Sequence, residues 1–484
     1  MISQHPEWAL AHKRKGTELK RINGKYYLYE VSSKWSPEKK RPVKITGRIL
    51  GSVTEERGFV ESEKTRLRRQ NDFAGRIQIK EYGITAAIET LFADTITPLK
   101  THFPETWPTL VCLAYGRLVH QAPLKNMAAL AAASFLSERH PQANLSAKSL
   151  GPFLRETGRA RDKIVAYCRA FKTPGDHILF DGTDIPCHSR LMSLPKFSKG
   201  KSGAYDEMLN TMWIFSAKRQ TPVYYRLLPG NIKDVRAFKL CLLESGVEDA
   251  TVIIDKGFAS QTNIDALEQA GLAFILPLRR DNALVDYEKA RAGHTRQFDG
   301  HFKHEGRFIW HYTVPAGEGK SVTVFLDEEL RCREQKDYLT RFENKLEGYT
   351  MEDFHERQHR FGTLAIISNT GKPAPTLYAD YKTRANVETM INALKNILDA
   401  DHSHLRDEHA LEGWMFINLL ALKWYYTLLN VLKKHALNAV YSPSDLLLFL
   451  SEIKKVKING IWHQSEVTKK TAELARKIGI EPIT

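Results

Sequence analysis

Apolar positions change their rhythm along this chain. From residue 84 to 172 they recur every three to four places, as in ITAAIETLFADTI (84–96), LVCLAYGRLV (110–119) and MAALAAASFL (127–136). That spacing predicts helices. TPGD (173–176) interrupts it. Short apolar runs of the buried-strand kind follow: HILFDG (177–182), TMWIFSA (211–217) and VYYRLLPG (223–230). Asp234 then opens a helix, DVRAFKLCLLESG, and TVIIDKG (251–257) is a strand ending on an acid. NIDALEQAG reads as a helix and LAFILPL (272–278) as a strand. RFIWHYTV (307–314) and KSVTVFL (320–326) are β-type pieces, and TLAIISN (363–369) is again a buried strand. A helix follows at about 376–400.

Three strands joined by tight connections predict antiparallel pairing, and a strand after a crossover helix predicts parallel pairing. The order β-β-β-α-β-α-β matches a ribonuclease H-like sheet. The expected fold is therefore α/β: a mixed five-stranded sheet flanked by helices, a β-rich insertion, an N-terminal basic β/α region and a helical C-terminal region. The expected divisions are 1–90 (basic, β-rich, DNA-binding), 91–172 (helical), 173–284 (first part of the catalytic domain), 285–362 (insertion), 363–400 (second part, with the Glu helix) and 401–484 (helical). The last part ends in the basic segment EIKKVKINGIWH (452–463).

Charge narrows the partners. The 484 residues carry a formal net charge of +15, and a surplus of that size points to a polyanion, most often nucleic acid. Residues 1–90 hold 19 Lys+Arg against 11 Asp+Glu, in runs such as HKRK (12–15), EKKRPVKITGR (38–48) and KTRLRR (64–69). These alternate with strand-like KYYLYEV, KWSP and VKITGRILG, which suits a module that tracks phosphates. The five cysteines are scattered with no CxxC, so neither a zinc site nor a disulfide framework is expected. Residues 1–30 lack the apolar core of a leader. WMFINLLALKWYYTLLNVL (414–432) contains Asn418, Lys423 and Asn430, so a buried helix is expected rather than a membrane span, and no membrane partner. A bacterial cytoplasmic, nucleoid-associated location is expected.

Three acids stand where chemistry is built. Asp181 ends the first strand, Asp255 ends a later one, and Glu388 lies on the helix after LAIISN. In a ribonuclease H-like sheet those strand ends are neighbours and the helix packs beside them. Close carboxylates repel one another and resist ionisation unless cations join them. Hard oxygen donors select Mg²⁺, with Mn²⁺ as a substitute, and a pair of such ions serves in-line phosphoryl displacement. Each acid also has a structural reading. Asp181 can cap the turn DGTD, where Asp184 competes with it; Asp255 can start a turn; Glu388 can pair with Arg384. No GxSxG or Walker A motif offers other chemistry.

YKTRANVETMINALKN (381–396) adds a row. On a continuous helix Tyr381, Arg384, Glu388 and Lys395 fall at roughly 0°, 300°, 340° and 320°, one stripe about 60° wide. Arg384 and Lys395 suit phosphate oxygens, the first as a fork and the second as a point charge. The pattern Y-x2-R-x3-E-x6-K resembles the YREK signature of DDE-type insertion-sequence transposases. FDGTD (180–184), LLPGNIKD (227–234) and TVIIDKGFAS (251–260) resemble the family's first-Asp, loop and second-Asp segments. The resemblance runs from about residue 177 to 400.

The resemblance implies that Asp181, Asp255 and Glu388 are the catalytic, metal-binding triad for two Mg²⁺ ions. It implies that Tyr381, Arg384 and Lys395 contact the DNA end. Trp310, in the insertion, is read as a core residue or as an aromatic that holds a flipped base. Lys196, Lys199 and Lys201 form a basic loop read as solvated or DNA-contacting; Asn231 and Asp234 read as turn and cap. The expected function is a transposase that binds double-stranded DNA at terminal inverted repeats and target, cleaves it and transfers strands in cut-and-paste fashion, as a homodimer. The alternatives are a nuclease without strand transfer and a non-catalytic DNA-binding protein derived from a transposase.

Overall fold

A computed structural model describes residues 5–480 except 38, 75–76, 200–204, 232–233, 318, 399 and 401–404. Side chains of 69–74, 199, 234 and 235 also lie outside the description. Lys201 and the side chains of Lys199 and Asp234 therefore fall outside it. The chain forms two compact units.

The smaller unit contains residues 1–80 and 454–466. Its main sheet is antiparallel, with Thr17–Ile22, Lys25–Ser36, Arg41–Thr54 and Gly58–Glu61 in that order. Asn23 and Gly24 both take positive φ, the turn that two-residue hairpins need. Ala9, Leu19, Leu28 and Val53 make its small core, with Trp8, Tyr26 and Phe59 packed on it. KYYLYEV and KWSP prove to be one strand rather than two. The basic segment near the C-terminus is a hairpin, Lys454–Ile458 with Ile461–Gln464, turning on Asn459-Gly460. Its alternating Lys-Val-Lys-Ile is the strand period that a helical reading of 401–484 overlooks.

The larger unit contains residues 81–453 and 467–482. Its strands are β1 (Asp176–Pro186), β2 (Lys196–Lys199), β3 (Tyr205–Ser216), β4 (Thr221–Pro229), β5 (Ala250–Ile253), β6 (Ala273–Leu278), β7 (Gly300–His304), β8 (Arg307–Pro315), β9 (Ser321–Asp327) and β10 (Thr363–Ser368). They form one ten-stranded mixed sheet in the order β7-β8-β9-β10-β6-β5-β1-β3-β2, with β4 also on β3. β5 runs parallel to β1 and to β6; the other pairs are antiparallel. The strands β4, β3, β1, β5 and β6 are neighbours in that order, but the sheet is not the five-stranded one expected and does not stop there. β10 pairs with β6 on one side and β9 on the other, and the insertion's strands continue the same sheet. That covers an edge which would otherwise present unpaired backbone groups. The KFSK of the basic loop is strand β2, not coil.

Ten strands expose long faces, and helices cover them. Among these helices are α1 (Trp107–His120), α2 (Ala147–Arg159), α3 (Arg161–Arg169), α4 (Asp234–Ser245), α5 (Gln261–Gln269), α6 (Glu328–Glu343), α7 (Ala374–Lys382), α8 (Ala385–Asn392) and α9 (Glu408–Lys434). α9 is long and apolar enough to cross a membrane, yet 72% of its most apolar window is buried inside the protein. Its polar residues are answered there. Arg117 Nε donates to Asn418 Oδ1 at 3.1 Å, and Lys423 Nζ donates to the Pro222 carbonyl at 3.0 Å. Burial pushes the Lys423 ammonium down to about 7. At Gly158 and Gly413 an added Cβ would stand 1.8 Å from the His409 carbonyl oxygen and 2.2 Å from that of Leu154, so glycine lets α2 and α9 touch backbone to backbone.

Candidate active site at the carboxyl edge of the sheet

Parallel pairing aligns two acids. Leu179 of β1 faces Ile253 of β5, the last pair of that ladder. Asp181 and Asp255 each come two residues further on, so both leave the same edge of adjacent strands. Neighbouring strands lie about 4.8 Å apart. Asp181 is still within β1, paired with Trp213 of β3, and only 7% exposed. One of its oxygens, Oδ1, accepts from the Gly182 amide at 2.9 Å. Asp255 Oδ1 accepts from the Lys256 amide at 2.7 Å and caps a short turn, Lys256–Phe258.

The third acid arrives on a helix that is not continuous. α7 ends at Lys382 and α8 begins at Ala385. Between them the amides of Thr383, Arg384, Asn386 and Val387 bond three residues back, not four. Further on, Ala393–Ile397 widens to a π turn. A single stripe at 100° per residue is therefore the wrong description. The tight turn nevertheless leaves Arg384 inside the acids. Its Nη2 lies 2.8 Å from Glu388 Oε1 and 3.5 Å from Asp255 Oδ2.

The electrostatics follow from that placement. Burial opposes the Arg384 charge, but Asp255, Glu388, Tyr381 and Asp181 outweigh it and push the guanidinium up. Burial likewise pushes the Tyr381 hydroxyl up, aided by Asp255 and Glu388 and opposed by Arg384. Among the described residues the buried Arg384 Nε has no hydrogen-bond partner. A buried donor left unsatisfied costs about 1–3 kcal/mol.

The other expected residues are placed as follows. Lys395 lies in the π turn, and its ammonium donates to the Asp184 carbonyl at 3.1 Å, three residues along β1 from Asp181. Trp310 is half-buried on β8 with its ring 4.8 Å from that of His301. Four strand steps separate β8 from β5, roughly 19 Å, so Trp310 is not brought to the acids. Lys196 is an exposed residue of β2, and Asn231 is exposed just after β4. α4 begins at Asp234, whose side chain lies outside the described residues.

Whether a divalent ion fits is a question of donors and of what stands between them. Asp181, Asp255 and Glu388 are hard oxygen donors of the right class for Mg²⁺. Among the described residues, no three His, Cys, Asp or Glu groups are arranged to hold a metal. Arg384 lies between Asp255 and Glu388 and bridges the two. The donors are of the right chemical class for such an ion, and a guanidinium lies between two of them.

Residues 172–424, just over half of the chain, match the family model for the transposase DDE domain. The chain belongs to that family. No curated protein matches it. Among solved structures it is similar to a piggyBac transposase synaptic complex with hairpin DNA, at 14% identity and a TM-score of 0.37. The match covers 70% of this chain and 62% of that one, so the chain spans less than two thirds of that structure's length.

Proposed function

We infer that this transposase binds the ends of its insertion sequence, cleaves them in a metal-dependent reaction and joins the 3′ end to target DNA. The catalytic core is read as ribonuclease H-like, with Asp181, Asp255 and Glu388 as the DDE acids and the Tyr381–Arg384–Glu388–Lys395 row as the YREK signature. The observation that carries this reading is the paired register of Asp181 and Asp255, with Arg384 joining Asp255 to Glu388.

The three carboxylates would hold two Mg²⁺ ions, with Mn²⁺ as a substitute. Bound there, such ions activate the attacking oxygen and stabilise the leaving one. The chain's own residues do the rest. Arg384 offers a guanidinium that can exchange carboxylate partners for phosphate oxygens, because phosphate accepts the same bidentate fork. Lys395 presents a point charge beside β1. The phenol of Tyr381, held protonated by burial, can donate a hydrogen bond to phosphate. Two copies would hold two DNA ends, each acting as a homodimer partner.

A joining assay tests this. An oligonucleotide duplex carrying the pre-cut 3′ end of the element is incubated with supercoiled plasmid and Mg²⁺. Covalent end-to-plasmid product is expected. Cutting of uncut ends without any joining would favour a nuclease and defeat the strand-transfer reading.

A further inference from the structure

The insertion contributes more than strands. An open cleft of about 1240 Å³ is lined by Arg291, Arg331, Arg357, Arg360, His355 and His359, with Arg280 in its wall and the acids Asp281 and Glu356 among them; Arg331 pairs with Glu328. Register fixes where it stands. β6 runs parallel to β5, so its carboxyl end is on the same edge as Asp255. Leu278, at that end, faces Ala365 of β10, and Thr363, at the start of β10, faces Leu326 near the end of β9. Arg280 follows β6, Arg360 precedes β10, and Arg331 lies on α6, which follows β9. All three therefore gather at the edge that carries the acids.

Two features make the cleft a cradle. Gly362 (φ +70°) has no room for a side chain: a Cβ would stand 2.6 Å from the Arg331 Cβ. That close approach brings the chain bearing Arg360 against α6. Arg280 is committed to structure: its two Nη atoms each lie 2.9 Å from Glu334, and Nε donates to the Thr363 carbonyl. Arg357 pairs with Asp353. Arg291 and Arg360, in contrast, have no carboxylate partner among the described residues. His359 reports the result. Burial, then the charges of Arg291 and Arg360, holds its imidazole below the usual histidine range.

We propose that this cleft is a second DNA site, taking the phosphate backbone of the duplex as it runs away from the acids. It is larger and more open than a small-molecule pocket. Three strand steps separate β5 from β9, roughly 14 Å, less than half a turn of B-DNA. Duplex DNA is stiff over tens of nanometres, so a duplex that leaves Asp255 along this edge would stay within reach of the cleft. The proposal rests on the DNA-processing reading above.

The test uses the full chain and fluorescence anisotropy across a salt series. One labelled duplex has random sequence; the other carries the element's own end, taken from DNA bordering the gene. Arg291→Gln combined with Arg360→Gln should lower affinity about tenfold and reduce the slope of log K against log salt by about two. Loss with both duplexes assigns the cleft to DNA of any sequence, and loss with the end duplex alone assigns it to the end. An unchanged slope with both overturns the proposal. Independently, the His359 ring followed by NMR in the unmodified chain should titrate at higher pH once duplex is added; an unmoved titration overturns the proposal even if the double variant folds poorly. Failure of the unmodified chain to bind any duplex would remove the transposase reading itself, whereas normal binding by the double variant would remove only the cleft.

Discussion

Two arginines each grip a pair of acids in the larger unit, and they are held very differently. Arg161, at the start of α3, donates to Glu412 Oε1 at 2.6 Å, to Glu244 Oε2 at 3.1 Å, to the Tyr225 carbonyl at 2.8 Å and to the Tyr224 hydroxyl at 3.1 Å. Tyr224 and Arg226 close on the same Glu244. Every arm is answered, and the acids are 20% and 15% exposed. Arg384 has an unanswered Nε, a 3.5 Å reach to Asp255 and a Glu388 partner that is 52% exposed. The first arrangement joins α3, β4, α4 and α9. The second leaves its carboxylates able to change partner. Arg161 is bonded on every arm between largely buried acids, although Arg226 beside it leaves its own Nε unanswered; Arg384 is incompletely bonded and one of its acids is open to solvent.

Substitutions can break that contrast. The largest effect is expected at the acids: Asp181→Ala, Asp255→Ala or Glu388→Ala should each lower DNA cleavage by on the order of 10²–10³-fold or more. End binding should largely persist in gel-shift assays. Cleavage by any of the three variants at the wild-type rate would remove that residue from the triad. At the structural joint the outcome is reversed. Arg161→Met strands two carboxylates and should cost about 3–5 kcal/mol of stability in urea unfolding. A stability loss below 1 kcal/mol on the order-of-magnitude scale of surface pairs would mean that the joint is slack.

Arg384→Ala should change stability by less than about 1 kcal/mol, because its partners are substantially exposed. Its salt slope for end binding should fall by about one; a normal slope would show that Arg384 never leaves its acids. A further effect concerns pH. Burial works against the Glu244 charge, but Arg161 and Arg226 overcome it and hold its carboxyl down at about 2. A depressed carboxyl stabilises the fold above its ordinary value near 4.5, and that stability is lost as pH falls from there towards 2. Glu244→Gln should flatten the stability curve over that window, and an unchanged acid limb would show that other groups control it.

The sequence told some of this plainly and some not at all. Buried strands such as β5 and β6 are unbroken apolar runs, and α4 and α5 carry a helical period. The two Asp residues were legible because an acid closing an apolar run is unusual and because both runs end alike. The break at Thr383–Arg384 was not, since neither glycine nor proline marks it. α6 was missed for a different reason. Tyr338 is its only buried residue, so it lacks an apolar stripe; its signals are Asp327, which caps it, and Glu328 and Glu329 in the first turn. The insertion's cleft was invisible because its arginines come from separated segments between 280 and 360, and only the sheet register gathers them. The Arg161 joint, which spans residues 161 to 412, was hidden in the same way.

The central claim is that Asp255 and its two companions share divalent ions during cleavage. Asp255→Cys tests it, because a thiolate is a poor ligand for Mg²⁺ and a better one for the softer Mn²⁺. Cleavage of an end-bearing duplex is measured for this variant in each metal. The account predicts almost no product in Mg²⁺ and clear recovery in Mn²⁺, relative to the unmodified chain in the same metal. Equal activity in the two metals would contradict it.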